Sequence, residues 1–250
     1  MSLDSILVVP FHDEAERWSD AYWDAMLRTN EIGWILVDDG STDGTTELLA
    51  GFTAPHVIVH RIERNVGKSN AVRQGMLLGL DRFPSGRRVG FLDGDAAFAV
   101  DEVHDVVRQA GRLLDDGGFD AVWSSRVALA GRHIERRLSR HYAGRIVATY
   151  LFRGVAWAPY DSQCGFKIFE VSEGLVSSLQ DPFETRWFVD IELLARLATE
   201  QRAIPRVREI PLETWRDVAG SKVASTALMS ILRELRVARR HVRTIEREAA

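Results

Sequence analysis

The sequence predicts an α/β fold, with a mostly parallel central sheet covered by helices on both faces. Three observations carry that expectation. Short β-branched runs alternate with helix-compatible stretches through the first half of the chain, the order that builds parallel strands joined by crossover helices. Two acidic motifs, "DDG" at 38–40 and "DGD" at 93–95, directly follow such runs, where open α/β sheets bind their ligands. Finally, the 250 residues contain no internal repeat and no low-complexity linker, so one continuous domain with a substantial core is the simplest organisation.

Taken in order, Ile6–Val9 is a first strand, followed by a polar, helix-compatible stretch from Asp13 to Arg28. Trp34–Val37 is a second strand, ending in "DDGSTDGT", where Ser41 or Thr42 is placed to cap a helix running through Leu49. Val57–Arg61 reads as a strand and Lys68–Leu80 as the helix after it. Arg88–Leu92 and Asp101–Leu114 repeat the pair, and Ala121–Ser124 is a fifth strand. The second half is less regular. His141–Trp157 carries large apolar residues at helical spacing with arginines interleaved; Phe166–Phe169 and Arg206–Leu212 read as strands, and Trp187–Leu197 as a helix. A long helix, apolar first and Arg-rich later, is expected from Val223 to Glu248.

Composition narrows the class. The chain is 46% hydrophobic and 27% charged, and its net charge of −4 gives no reason to expect a nucleic-acid partner. A single cysteine, Cys164, excludes an intramolecular disulfide and a Cys-rich zinc site, and its place beside Gly165 suits a packed small residue better than a nucleophile. The start lacks the pattern of a signal peptide, and no stretch of 18 residues is apolar enough to span a bilayer, so a cytoplasmic chain is expected, with peripheral membrane contact open. From Arg126 to Arg153 seven arginines stand against one acid, Glu135; such a run is either solvated surface or a site for a phosphate-bearing partner.

Asp93-Gly94-Asp95 ends an apolar strand with two carboxylates, which is costly unless a cation meets them. The pattern suits a hard divalent ion, Mg²⁺ or Mn²⁺, that takes carboxylate and substrate phosphate oxygens together and neutralises a leaving diphosphate. Its bland alternative is a pair of turn-forming acids capping the next helix. Asp38 and Asp39 end a neighbouring strand, and Asp39-Gly40-Ser41 makes a turn facing the same cleft, where an acid can accept hydrogen bonds from a nucleobase or a ribose. Asn65-Val66-Gly67-Lys68 lacks the first glycine of a phosphate-cradling G-x-x-x-x-G-K-[ST] loop, and no strand is followed by G-x-G-x-x-G, which argues against a dinucleotide oxidoreductase.

Together, Pro10-Phe11-His12-Asp13-Glu14, Val37-Asp38-Asp39-Gly40-Ser41, Asn65-Val66-Gly67-Lys68 and Asp93-Gly94-Asp95 resemble, in order, the nucleotide-sugar half of the inverting family 2 glycosyltransferases. "DSQCGFKIF" (161–169), "RWFVDIELL" (186–194) and "GSK" (220–222) resemble, more specifically, the dolichyl-phosphate glucosyltransferase and mannosyltransferase branch, and the likeness runs from about residue 5 to 225. The resemblance implies a GT-A-type fold, with a catalytic domain over 1–225 (nucleotide-sugar half 1–125, acceptor half 126–225) and a separate Arg-rich helix over 226–250. It implies that Pro10, His12, Glu14, Asp38, Asp39 and Lys68 enclose the nucleotide sugar, and that Asp93 and Asp95 hold the metal and diphosphate. Lys222 would meet the diphosphate or the acceptor phosphate, and Arg126, Arg136 and Arg140 would receive that acceptor phosphate, with Arg137 competing with Arg136.

The implied reaction is transfer of a hexose from a nucleotide sugar to a polyprenyl phosphate or a small-molecule acceptor. Ala97 stands where mannosyl enzymes often carry a glutamine ligand, which tilts the donor to UDP-glucose over GDP-mannose. His12 replaces a common Tyr, Asp13 a common Asn, and Ser69 a frequent Gly. A phosphate nucleophile needs no general base, whereas a hydroxyl does, and Asp161 and Asp190 are the candidates; for Asp190 the alternative is a solvated or ion-paired structural acid. Three other readings stand beside this one: a relative that glycosylates a hydroxyl, a sugar-1-phosphate nucleotidyltransferase, and a non-catalytic sugar-nucleotide binding module.

Overall fold

The computed structural model describes residues 3–155, 157–218 and 228–248. Its centre is a seven-stranded sheet in the order β3-β2-β1-β4-β7-β5-β8. These strands are β1 (Ser5–Phe11), β2 (Ile32–Asp39), β3 (Val57–Ile62), β4 (Arg88–Leu92), β5 (Ala121–Ser125), β7 (Phe166–Glu170) and β8 (Val207–Pro211). β1 pairs in parallel with β2 and β4, β2 with β3, and β5 with β8. β7 is antiparallel to both of its neighbours, β4 and β5, so the expectation of a largely parallel sheet holds except at this one inserted strand.

β1, β2, β4 and β5 are buried almost throughout because both faces of the sheet are covered. Side chains alternate between the two faces. Leu7, Val9, Trp34 and Leu36 join Val106 and Leu114 of α4 (Val100–Asp115) on one, while Ile6, Val8, Ile35 and Val37 meet Val72 and Met76 of α3 (Lys68–Arg82) on the other. α3 lies so close to β1 that a Cβ on Gly75 would sit 2.4 Å from a Val8 methyl, which is why this mid-helix position carries glycine. α7 (Val189–Gln201) continues the second face through Leu193 and Leu197. A third cluster, Leu151, Phe152, Phe188, Ile191, Ala238 and Val242, joins α5 (Leu138–Phe152) to α7 and α8 (Leu228–Glu248).

Local chemistry corrects several expected boundaries. The stretch 13–28 is not one helix: a short 3₁₀ turn (Ala15–Arg17) is followed by α1 (Asp20–Met26), which Ser19 starts by accepting from the Tyr22 N–H at 3.3 Å. α2 (Thr45–Ala50) begins after Gly44 and not at Ser41 or Thr42, because Ser41 Oγ instead accepts from the Asp13 N–H and the Thr42 N–H donates to Asp13. α5 starts three residues earlier than expected and ends at Phe152, short of Trp157. A short parallel ribbon, β6 (His133–Glu135) with β9 (Thr214–Arg216), and the short helix α6 (Glu173–Ser178) carry no signal read from the sequence. The boundary expected at 225/226 lies outside the described residues, as does the first part of the helix expected from Val223.

Candidate active site

The carboxyl ends of β1 and β4 open into a cleft of about 870 Å³, lined also by Arg126, Arg136, the 162–165 segment and residues of α5. Asp93 and Asp95 line it because β4 ends at Leu92 and the chain turns there. Asp93 is fixed from two sides. Its N–H donates to Gly165 O at 2.9 Å, and Lys68 Nζ, at the first turn of α3, sits 2.5 Å from its Oδ1. Gly165 is packed so tightly on this carboxylate that a Cβ there would lie 1.8 Å from Asp93 Oδ2.

Asp95 accepts the Ala97 N–H at 3.2 Å. Burial first, and then the negative charges of Asp93 and Glu14, push its carboxyl up to about 6, against weaker opposing contacts. Two hard oxygen donors that repel each other's charge in this way are suited to a shared divalent cation. Among the described residues no cluster of three or more acidic, histidine or cysteine side chains is arranged to hold a metal, so further ligands would come from substrate and water.

The residues expected to enclose the nucleotide sugar divide. Pro10, His12, Glu14, Asp39 and Lys68 line the cleft. His12 Nδ1 is buried with no hydrogen-bond partner among the described residues. Asp39 lines the wall but spends its carboxylate on the β3–α3 loop, accepting the N–H groups of Val66 at 2.7 Å and Gly67 at 2.9 Å; burial nevertheless keeps its pKa raised. Asp38 is not in the cleft wall. It is fully buried and accepts from the Ser41 N–H at 2.8 Å and Thr46 Oγ1 at 2.5 Å, so the nucleoside contact expected of it is corrected to a structural one that shapes the turn before α2.

Arg126, expected to receive an acceptor phosphate, follows β5 and makes a two-pronged pair with Asp161, Nε to Oδ2 at 2.7 Å and Nη2 to Oδ1 at 2.8 Å, while its guanidinium lies 5.0 Å from the Trp215 ring. Burial alone would raise Asp161, but the hydrogen bonds and charge of Arg126 outweigh it and hold the carboxyl at about 2. In place of the free carboxylate expected of a general base, Asp161 is thus a paired acid that positions Arg126. Arg136 also lines the cleft, packed against Gly144 of α5, and burial together with the nearby positive charge of Arg126 lowers its pKa. Arg137 is exposed and outside the cleft wall. Arg140 lies in the first turn of α5, with its side chain outside the described residues, and Lys222 lies outside them altogether.

Lys167 of β7, in the cleft wall with Asp190, is almost fully buried, with its Nζ over the Trp123 ring at 4.2 Å. It donates to Ser162 O at 2.8 Å and to Asp190 of α7. Burial lowers this lysine well below its ordinary range. Asp190 is therefore a buried ion-pair acid whose oxygen is taken by Lys167, and it too is corrected from its expected place as a base. Cys164 is buried and its thiol pushed up to about 12, as suits a packed residue.

The sequence reading gave no role to Arg17, Asn65, Gln163, Lys167, Arg186 or Trp215, all of which line the cleft. Asn65, Gln163, Lys167 and Arg186 stand inside quoted motifs, so their position was visible and their part was not. Arg17 pairs with Glu14, and Arg186 donates to Asn65 while its carbonyl accepts the Ser69 N–H at 2.9 Å, tying the start of α3 to the segment before α7.

The glycosyl transferase family 2 model matches residues 6–169. A dolichyl-phosphate beta-glucosyltransferase of Drosophila melanogaster is 29% identical over 244 residues, covering 89% of this chain and 70% of that protein. A protein of the same name from Trichomonas vaginalis is 27% identical over 240 residues, covering 91% and 68%. The crystal structure of glucosyl-3-phosphoglycerate synthase from Mycobacterium tuberculosis, in complex with Mn²⁺ and uridine-diphosphate-glucose, superposes with a TM-score of 0.61 at 17% identity. It covers 94% of this chain and 78% of that one, a likeness of fold.

Proposed function

The chain belongs to glycosyl transferase family 2, and on that premise we propose that it is an inverting, divalent-metal-dependent transferase moving glucose from UDP-glucose to a polyprenyl phosphate. The observation that carries this reading is a single cleft whose wall brings the acid pair Asp93 and Asp95 together with Arg126 and Arg136. An acid pair with a bound Mg²⁺ or Mn²⁺ suits the diphosphate of a donor, and a pair of mutually repelling guanidinium groups suits a second anion.

Proton chemistry supports this choice of acceptor. A hydroxyl nucleophile needs a base in reach. Neither acid the sequence offers for that task is free, since Asp161 is locked on Arg126 and Asp190 on Lys167. A phosphate monoester, whose second pKa is about 6, is already anionic at neutral pH and attacks without deprotonation. Held by Arg126 and Arg136, its oxygen approaches the anomeric carbon from the face opposite the diphosphate, and the configuration inverts. A metal bound by Asp95, with Asp93 assisting, would act as the Lewis acid that neutralises the departing UDP. Lys68, already against Asp93, adds a second positive charge on the diphosphate side.

His12 Nδ1, without a partner among the described residues, supports a nucleobase contact at the cleft wall, and Ala97, buried two residues past Asp95, supports the glucosyl donor. A catalytic domain over 1–225, with the Arg-rich helix outside it, is part of this reading. The test is a panel of nucleotide sugars with Mn²⁺, with and without polyprenyl phosphate, backed by calorimetry of UDP and GDP. Polyprenyl-dependent release of UDP is expected, with UDP binding the tighter. Tighter GDP binding, or equally efficient transfer to a simple alcohol, contradicts the reading.

A further inference from the structure

Helix α5 is apolar on two sides. On one, Leu151 and Phe152 are buried against Phe188 and Ile191 at α7 and Ala238 and Val242 of α8. On the other, Leu138, Tyr142, Ile146 and Tyr150 follow one another at four-residue steps, one turn apart, and are 73%, 63%, 70% and 46% exposed. A helix that is apolar on both sides suits partners on both sides, and among the described residues the fold supplies only the first. Ala143, Gly144 and Val147 of the same helix line the cleft next to Arg136, so the exposed row borders the proposed acceptor side.

The charge around the row says what covers it. Residues 136–160 contain five arginines and no Asp or Glu. A second copy of the chain docked through this face would set arginines against arginines across a two-fold axis. An anionic lipid surface complements both properties at once, taking the apolar row into the acyl boundary and the arginines at the headgroups. Two tyrosines in the row suit that boundary, where amphipathic rings concentrate.

We propose that the exposed face of α5 seats on an anionic bilayer and presents a lipid phosphate to Arg126 and Arg136. This rests on the acceptor reading above, and the two are separable by experiment. The full chain is sedimented with vesicles of phosphatidylcholine alone, or with added phosphatidylglycerol, in the absence of polyprenyl phosphate. Binding is expected to require the anionic lipid, to fall with salt, and to drop at least tenfold in Tyr142→Ser/Ile146→Ser, whose side chains project into solvent. Arg137→Gln should cost about fivefold, as for one arginine at a charged surface.

The same double variant should glucosylate a short, water-soluble polyprenyl phosphate within twofold of wild type, yet fail on the long-chain lipid in vesicles. Wild-type protein that ignores anionic vesicles at low salt, or a double variant that binds them equally, overturns the proposal. So does a wild-type dimer that the double variant dissociates without any vesicle binding, which would make the row an interface between copies. If neither short nor long polyprenyl phosphate is glucosylated, the acceptor reading falls, while the vesicle result still judges the surface by itself.

Discussion

Gly165→Ala tests the geometry of the acid pair without touching a charged group. A Cβ at this position would stand 1.8 Å from Asp93 Oδ2, 2.1 Å from Cγ and 2.6 Å from Oδ1. Restoring ordinary contact requires a shift of about 1.5 Å, and the Asp93 backbone cannot supply it, since its N–H is bonded to Gly165 O at 2.9 Å. The carboxylate itself must turn away, leaving Lys68 and the neighbourhood of Asp95. Misplacement of a catalytic group by about 1 Å is enough for a loss of roughly 10²-fold. Turnover should therefore fall by about two orders of magnitude, or about 2.7 kcal/mol of transition-state stabilisation. Overpacking should also cost about 1–3 kcal/mol of stability, leaving the chain folded. The assay is steady-state UDP release with a parallel thermal melt. A folded Gly165→Ala enzyme within threefold of wild type would refute the claim that Asp93 must lie where this structure holds it.

Asp95→Asn should lower turnover by a factor of roughly 10² or more, and EDTA should abolish wild-type activity, because charge stabilisation worth several kcal/mol is lost with the metal; full activity in EDTA contradicts this. Asp161→Asn should raise the acceptor KM with UDP binding intact and no limb lost from the pH–rate profile, whereas loss of that limb would restore Asp161 as a base. Because its pKa is depressed in the fold, from 3.8 to about 2, the stability Asp161 contributes is fully present above its unfolded value and lost as pH falls toward 2, which acid unfolding of wild type and variant will register. Lys167→Met should destabilise by about 3–5 kcal/mol by leaving Asp190 buried and unpaired, and adding Asp190→Leu should recover most of that loss in a denaturant titration. A stable double variant devoid of turnover would instead make Asp190 the base.

The strands whose carboxyl ends open into the cleft were legible because their residues are buried on both faces, giving continuous apolar runs such as Ile6–Val9 and Val89–Leu92. The acid pair was legible for the complementary reason, that two carboxylates at the end of such a run need an explanation. The direction of β7 was not: Phe166-Lys167-Ile168-Phe169 reads as a strand whichever way it pairs, and its insertion between β4 and β5 is set by a long connection. Asp38 and Asp39 are adjacent and alike in sequence, yet strand alternation sends one under the β2–α2 turn and the other to the cleft wall. The partners of Asp161 and Asp190, Arg126 and Lys167, lie 35 and 23 residues away along the chain, so only the fold shows that both acids are neutralised.

The central claim is that an anionic phosphate oxygen attacks the sugar in line with the departing UDP. The most direct measurement is the anomeric configuration of the product formed from UDP-glucose, whose glucose is α-linked, with Mn²⁺ and a water-soluble polyprenyl phosphate, read by NMR on the purified product. The account requires a glucose bonded through its anomeric carbon to the acceptor phosphate, and in the β configuration. An α-linked product, or glucose attached to a hydroxyl while the phosphate goes unmodified, would contradict it.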